Sequence, residues 1–154
     1  FSPGAIEAGR EALAAGARII TDTQMALSGI NKKALSVFGG QVHCFMADED
    51  IAKRAKENGT TRAVASMEKA SELEGEYIIA VGNAPTALIK LKELIEENKI
   101  KPVLIIAVPV GFVNVVEAKE IISKCNVPVI VARGRKGGSN LAAAICNGIL
   151  YGIE

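Results

Sequence analysis

The chain has no tryptophan, a single histidine, three cysteines and only 4% aromatic residues in 154 positions. With so few rings, any core must be built from Ala, Val, Ile and Leu, and a hydrophobic fraction of 49% supplies enough of them. Cys44, Cys125 and Cys146 are odd in number, far apart and without Cys-x-x-Cys spacing. That argues against a disulfide framework and against a zinc site, and makes a reducing cytoplasm the expected compartment. Charge of one sign is also missing: a formal net charge of +1 disfavours a dedicated nucleic-acid binder. No apolar run reaches the roughly 20 residues of a membrane-spanning helix. No secretory signal or lipidation motif is recognisable. Internal repeats, low-complexity tracts and linkers are absent too, so residues 1–154 are expected to form one domain of ordinary size.

There is no initiator Met. The opening Phe1-Ser2-Pro3 reads as an N-cap followed by proline at the first helical position, with Phe1 and Ile6 placed for a hydrophobic staple. A chain that opens on a finished cap is expected to have been longer upstream. The first helix then covers residues 3–15, with Gly16 as its stop. Short strands are expected over Arg18–Asp22 and Gln41–Met46, and helices over Ala47–Asn58 and Thr61–Leu73, separated by Gly59. Beyond this the pattern is clearer: strand Tyr77–Val81, turn Gly82–Thr86 and helix Ala87–Asn98, with Leu88, Leu91, Leu94 and Ile95 on one face. Strand Pro102–Val108, loop Pro109–Phe112, helix Val115–Lys124, strand Pro128–Ala132, loop Arg133–Ser139 and helix Asn140–Tyr151 complete the chain. Continuous β-branched strands, each followed by a helix, imply an α/β fold of three layers: a doubly wound, mostly parallel sheet with helices on both faces. Ligands of such sheets bind beyond the carboxyl ends of the strands. The loops after Val81, Val108 and Ala132 should share that edge.

Three loops carry candidate chemistry. Gly82-Asn83-Ala84-Pro85-Thr86 joins a strand to a helix. It reads as a tight turn capped by Thr86, and also as free N–H groups and a positive helix end aimed at the crevice, with Asn83 and Thr86 adding donors. The two readings are compatible, since a cap can also line a site. Pro109-Val110-Gly111-Phe112-Val113 is apolar where a polar loop is usual. Gly111 permits close backbone approach or a positive φ, and Phe112 either covers a flat ligand or is buried under the next helix. Arg133-Gly134-Arg135-Lys136-Gly137-Gly138-Ser139 puts three cations and three glycines at a helix start, and no Asp or Glu occurs from Ile121 to Ile153. This is anion-binding chemistry, unless it is only a solvated basic loop. It matches neither a P-loop nor a dinucleotide fingerprint. Arg62 falls in the first turn of a helix, against the helix dipole. That is a mild sign of a ligand, though surface arginines are common. Together these loops describe a wide, apolar-floored crevice ringed with anion donors, suited to a large flat polycarboxylate.

Gly-Asn-Ala-Pro-Thr-Ala-Leu at 82–88, Pro-Val-Gly-Phe-Val at 109–113 and Gly-Arg-Lys-Gly-Gly-Ser at 134–139 resemble precorrin-8X methylmutases. So do Phe1-Ser2-Pro3, the stretch 17–29 with Asp22 and Met25, Gly59-Thr60-Thr61-Arg62, Glu117-Ala118-Lys119 and Asn147, in the same order and spacing. Each motif alone is weak; the ordered set spans essentially the whole chain. The resemblance implies an isomerase of cobalamin biosynthesis. It would move a methyl group from C11 to C12 of a tetrapyrrole, precorrin-8X or its cobalt form, giving hydrogenobyrinate or cobyrinate. It also implies a homodimer, with no redox cofactor and no protein-held metal. Arg62 and Arg135 would be carboxylate donors, Asn83 and Thr86 polar donors, and Gly111 and Phe112 the wall facing the ring. The family's general acid is a histidine that precedes Phe-Ser-Pro, a segment this sequence does not include, so the catalytic group is not assigned. His43 stands where the family has an aliphatic residue and is expected to be structural. Ala63 departs from the family's serine, and Ala118 from the serine of Glu-Ser-Lys. A non-catalytic corrinoid- or anion-binding module is the alternative reading.

Overall fold

The computed structural model describes residues 3–111, 114–132 and 137–153. Five strands form one wholly parallel sheet: β1 (Arg18–Thr21), β2 (Val42–Cys44), β3 (Tyr77–Val81), β4 (Leu104–Ala107) and β5 (Val129–Val131), in the order β2-β1-β3-β4-β5. The chain winds outward from β1 to β2, then returns to place β3 on the other side of β1. The order therefore reverses between β1 and β3, the place where open α/β sheets leave a crevice. In register, Thr21 lies opposite Cys44 on one side and Ala80 on the other, and Val81 lies opposite Ala107.

Alternation along the central strands explains why both faces are apolar. Ile78, Ala80, Leu104 and Ile106 face α1 (Ala5–Ala14), α2 (Gln24–Gly29), α3 (Lys32–Ser36) and α8 (Ser139–Tyr151). Ile79, Val81, Ile105 and Ala107 face α4 (Glu49–Asn58), α5 (Arg62–Ala70), α6 (Pro85–Glu96) and α7 (Val115–Ser123). All eight of these strand side chains are essentially inaccessible to water. Each large one contributes about 1.5–3 kcal/mol through burial. The expected three-layer doubly wound architecture is what forms.

Several boundaries differ from the sequence reading. Helix α1 starts at Ala5, because Gly4 adopts φ 75° and cannot continue a right-handed helix back to Pro3. Phe1 and Ser2, the expected staple and cap, lie outside the described residues. The expected stop at Gly16 holds: its φ is 91°, its N–H donates to Leu13 and that of Ala17 to Ala12, satisfying carbonyls that the helix end leaves open. Helices α2 and α3 were not anticipated. At six and five residues they are too short to show a period, and only their caps betray them. Thr23 Oγ1 accepts from the Ala26 N–H and Asn31 Oδ1 from the Ala34 N–H.

Helix α8 locks this short pair in place. Asn147 Oδ1 accepts from the Asn31 N–H at 2.8 Å, while its Nδ2 donates to the Gly29 carbonyl at 2.9 Å. At Gly29 itself a Cβ would stand 2.8 Å from Ala143 Cβ, so the helices cross at contact distance. Gly29→Ala is expected to cost about 1–3 kcal/mol by overpacking. Adding Ala143→Gly should recover part of that loss. Urea melts of the two variants check this, and a neutral Gly29→Ala would show that the crossing is loose.

Candidate functional site

The carboxyl ends of β1, β3 and β4 lead into loops that meet along one rim. The loop after β1 begins with Asp22, only 1% exposed. Its Oδ1 accepts from the Gly82 N–H at 2.8 Å, and its Oδ2 from the N–H groups of Asn83 at 2.8 Å and Ala84 at 2.7 Å. These are the donors that the sequence reading left free for a ligand anion. The chain's own carboxylate already holds them, so that expectation is corrected. Burial pushes the Asp22 carboxyl upward from its ordinary range, while the donors of Gly82, Ala84 and Asn83 pull against the shift.

Gly82 then passes so close to the start of α8 that a Cβ would lie 2.7 Å from Ser139 Cα and 2.9 Å from its nitrogen. On the other flank, Gly138 N–H donates to the Val108 carbonyl at 2.7 Å. A Cβ on Gly137 would fall 2.1 Å from that same oxygen. The β3 and β4 loops therefore both abut the segment that starts α8, as the fold class led us to expect. Thr23 Oγ1 and Ser139 Oγ, 2.7 Å apart, tie in the loop after β1. Sequence reasoning missed Asp22 and Thr23 as parts of this rim; their partners lie 60–62 and 116 residues away.

The expected ligand-facing residues divide as follows. Asn83 is exposed on the rim, directly above the Asp22 carboxylate that holds its backbone. Gly111 has φ 137°, a conformation that favours glycine, and a Cβ there would make only an ordinary contact, 3.5 Å from Val115 Cγ2. Thr86 is exposed but is not the cap. Helix α6 starts at Pro85 after Ala84, because proline's fixed φ suits the first helical position. Thr86 instead lines a hollow of about 290 Å³ with Thr60, Val64 and Lys90, between the starts of α5 and α6. Arg62 is exposed at the first position of α5, behind the Thr61 cap. Phe112 and Arg135 lie outside the described residues.

Other candidates carry less. Burial drives the Cys146 thiol up to about 12 and the Cys44 thiol upward, so neither is a thiolate at neutral pH. Among the described residues no cluster of His, Cys, Asp and Glu could hold a metal ion. A hollow of about 660 Å³ lies at the opposite, amino-end edge, lined by Glu11, Glu76, Lys101 and Pro128 among others. Its acids outnumber its cation there, the wrong balance for a polyanion.

His43 sits on β2 opposite Ile20, stacked on Phe45 with ring centroids 6.0 Å apart, and its Nε2 is buried without a partner. Burial, and then the charge of Arg18, hold its imidazole below the usual value. The folded state therefore prefers the neutral ring. On acidification the unfolded chain takes up this proton first, near pH 6.5. The stability His43 allows is complete above that pH and is lost as pH falls toward the folded-state value. Unfolding measured at pH 7.5 and pH 5 should show a larger acid loss for the wild type than for His43→Gln. Equal losses would contradict this assignment.

A whole-chain comparison decides between families. The family model described as Precorrin-8X methylmutase matches residues 1–152. The chain belongs to the precorrin-8X methylmutase family. It is 46% identical over 156 residues to the cobalt-precorrin-8 methylmutase of Leptospira interrogans, covering 96% of this chain and 71% of that protein. It is 44% identical to the protein of the same name from Priestia megaterium, covering 97% of this chain and 66% of the relative. The structure of precorrin-8X methylmutase from Thermus thermophilus superposes with a TM-score of 0.88 at 42% identity, over 98% of this chain and 74% of that one. Methylmutases are isomerases of corrin biosynthesis, and this family's fold is the one built here. No helix among the described residues is long and apolar enough to cross a membrane.

Proposed function

We propose that this chain catalyses the methyl shift from C11 to C12 of precorrin-8X or cobalt-precorrin-8, giving hydrogenobyrinate or cobyrinate, with the converged rim as its substrate platform. The observation that carries this reading is the meeting of the Gly82 loop and the Val108–Pro109 segment at the start of α8, in a chain of this family. A methyl shift within one molecule requires no external oxidant or reductant. The protein must hold the macrocycle, favour the reactive tautomer, and exchange a proton or hydrogen bond as conjugation moves. Because Asp22 fills the start of α6, the acetate and propionate arms are left to Arg62, to Arg135 and to the first turn of α8. Asn83 and Thr86 serve as polar donors at the edge. Gly111 and Phe112 form the apolar wall. The resemblance places the family's general acid on a histidine before Phe-Ser-Pro, so no residue of this sequence is assigned that role. A reducing cytoplasm fits the three free cysteines, and a homodimer is what the resemblance to this family implies.

The test is to mix the protein, carrying that upstream segment, with precorrin-8X and separately with cobalt-precorrin-8, and to follow the visible spectrum. Conversion is expected with at least one. A spectral shift on binding without turnover would instead support a non-catalytic corrinoid-binding module. No interaction, with nucleotide binding in its place, would discard both. Arg135→Ala should weaken tetrapyrrole binding by roughly tenfold or more, since a charged hydrogen bond is removed. An unchanged dissociation constant would remove Arg135 from the site.

A further inference from the structure

Asp22 is a buried titratable group that no chemical step of the reaction outlined above uses. It sits at the reversal of strand order, where this class of sheet offers a helix N-terminus to a ligand's anion. All three of its donors belong to the loop bearing Asn83, and that loop presses through Gly82 on the backbone of Ser139. One carboxylate thus fixes the height of two parts of the rim. It also places a negative charge at the N–H groups where a ligand carboxylate could otherwise settle.

We propose that Asp22 is a positioning residue of the methylmutase site, a built-in anion that occupies the start of α6, holds Asn83 and the first turn of α8 in place, and excludes substrate carboxylates from that spot. This rests on the function proposed above. It differs from a purely structural role in its kinetic signature. If Asp22 merely supported the fold, its loss would loosen the rim and raise KM. As an internal anion, its loss opens a competing cradle of three N–H groups that captures a substrate arm and seats the ring wrongly. In that case kcat falls while KM stays level or drops.

Asp22→Ala and Asp22→Asn are compared with the wild type in tetrapyrrole turnover, alongside amide nitrogen–proton spectra. In Asp22→Ala kcat is expected to fall about 100-fold, the scale of a small misplacement, without a rise in KM, while Asp22→Asn, which leaves no open cradle, should lose less. Added formate should restore Asp22→Ala roughly tenfold and shift the Gly82, Asn83 and Ala84 amides toward their wild-type positions, because the missing carboxylate is supplied from solution. Asp22→Asn, whose amide fills the space, should gain nothing from formate. In the wild type, inorganic phosphate should leave those three amides unmoved, a measurement independent of whether either variant folds. The proposal is overturned by a folded Asp22→Ala with near-wild-type kcat, by a KM that rises in it with kcat unchanged, by formate that neither binds nor rescues it, or by phosphate shifting those amides in the wild type. Failure of the wild type itself to convert the tetrapyrrole would instead overturn the function proposed for the chain, leaving the amide spectra to judge whether the start of α6 is occupied.

Discussion

Gly137→Ala is expected to be the most damaging single methyl added to this chain. The new Cβ would lie 2.1 Å from the Val108 carbonyl oxygen and 2.8 Å from its carbon, both backbone atoms at the end of a central strand. Neither can swing aside as a side chain would. The φ of 155° adds strain that a residue with a Cβ rarely accepts. The adjacent hydrogen bond from Gly138 to Val108 would break as the segment retreats. A loss of about 3–5 kcal/mol in urea unfolding is expected, near the upper end for point substitutions. Tetrapyrrole binding should be lost with it. Gly59→Ala is the control: its φ is also positive, at 65°, but a Cβ there meets nothing within 4 Å, so only about 1–2 kcal/mol of backbone strain is expected. Equal melts for the two variants would mean that the Val108–Gly137 contact does not form.

Gly82→Ala should rank second. Its Cβ would collide with Ser139 Cα and nitrogen, at 2.7 and 2.9 Å, and with the Gly138 carbonyl carbon at 3.0 Å. Relief requires α8 to slide away from β3, or the loop to lift off Asp22. Either movement costs about 2–4 kcal/mol on the scale of overpacked contacts and broken buried hydrogen bonds. Sliding α8 would also part Ser139 from Thr23, whose hydroxyls are 2.7 Å apart. The variant should therefore lose ligand affinity beyond what its stability loss explains, measured by tetrapyrrole titration at a temperature where it remains folded. Wild-type affinity in a destabilised Gly82→Ala would separate the packing from the rim.

The two glycine loops also show how far the sequence could be read. Repetition marks the strands: β3 and β4 are continuous apolar runs, and the β-α alternation was enough to give a parallel sheet covered on both faces. Convergence at the carboxyl edge followed from the fold class. What escaped was set either by very local geometry or by very distant partners. Proline at the first helical position was applied to Pro3, where Gly4 overrides it, and not to Pro85, where it gives the start of α6. Helices α2 and α3 bury one side chain each, Ala26 and Leu35, and so leave no periodic trace. The occupant of the α6 N-terminus was invisible for another reason. Nothing near residues 82–84 in the sequence announces that Asp22 lies above β1 with its carboxylate turned toward them. The donors were identified correctly; that they are already satisfied is a property of the three-dimensional fold alone. His43, expected to be structural, does sit on an edge strand, against Ile20 and Phe45.

The central claim is that the ligand lies across the carboxyl-edge rim. Amide spectra of the protein titrated with hydrogenobyrinate, the product, test it most directly. Perturbations are expected at Asn83, Gly111 and Ser139 together, saturating at one concentration. Perturbations confined to Ala8, Lys101 and Asn126, around the hollow at the amino ends of the strands, would contradict it.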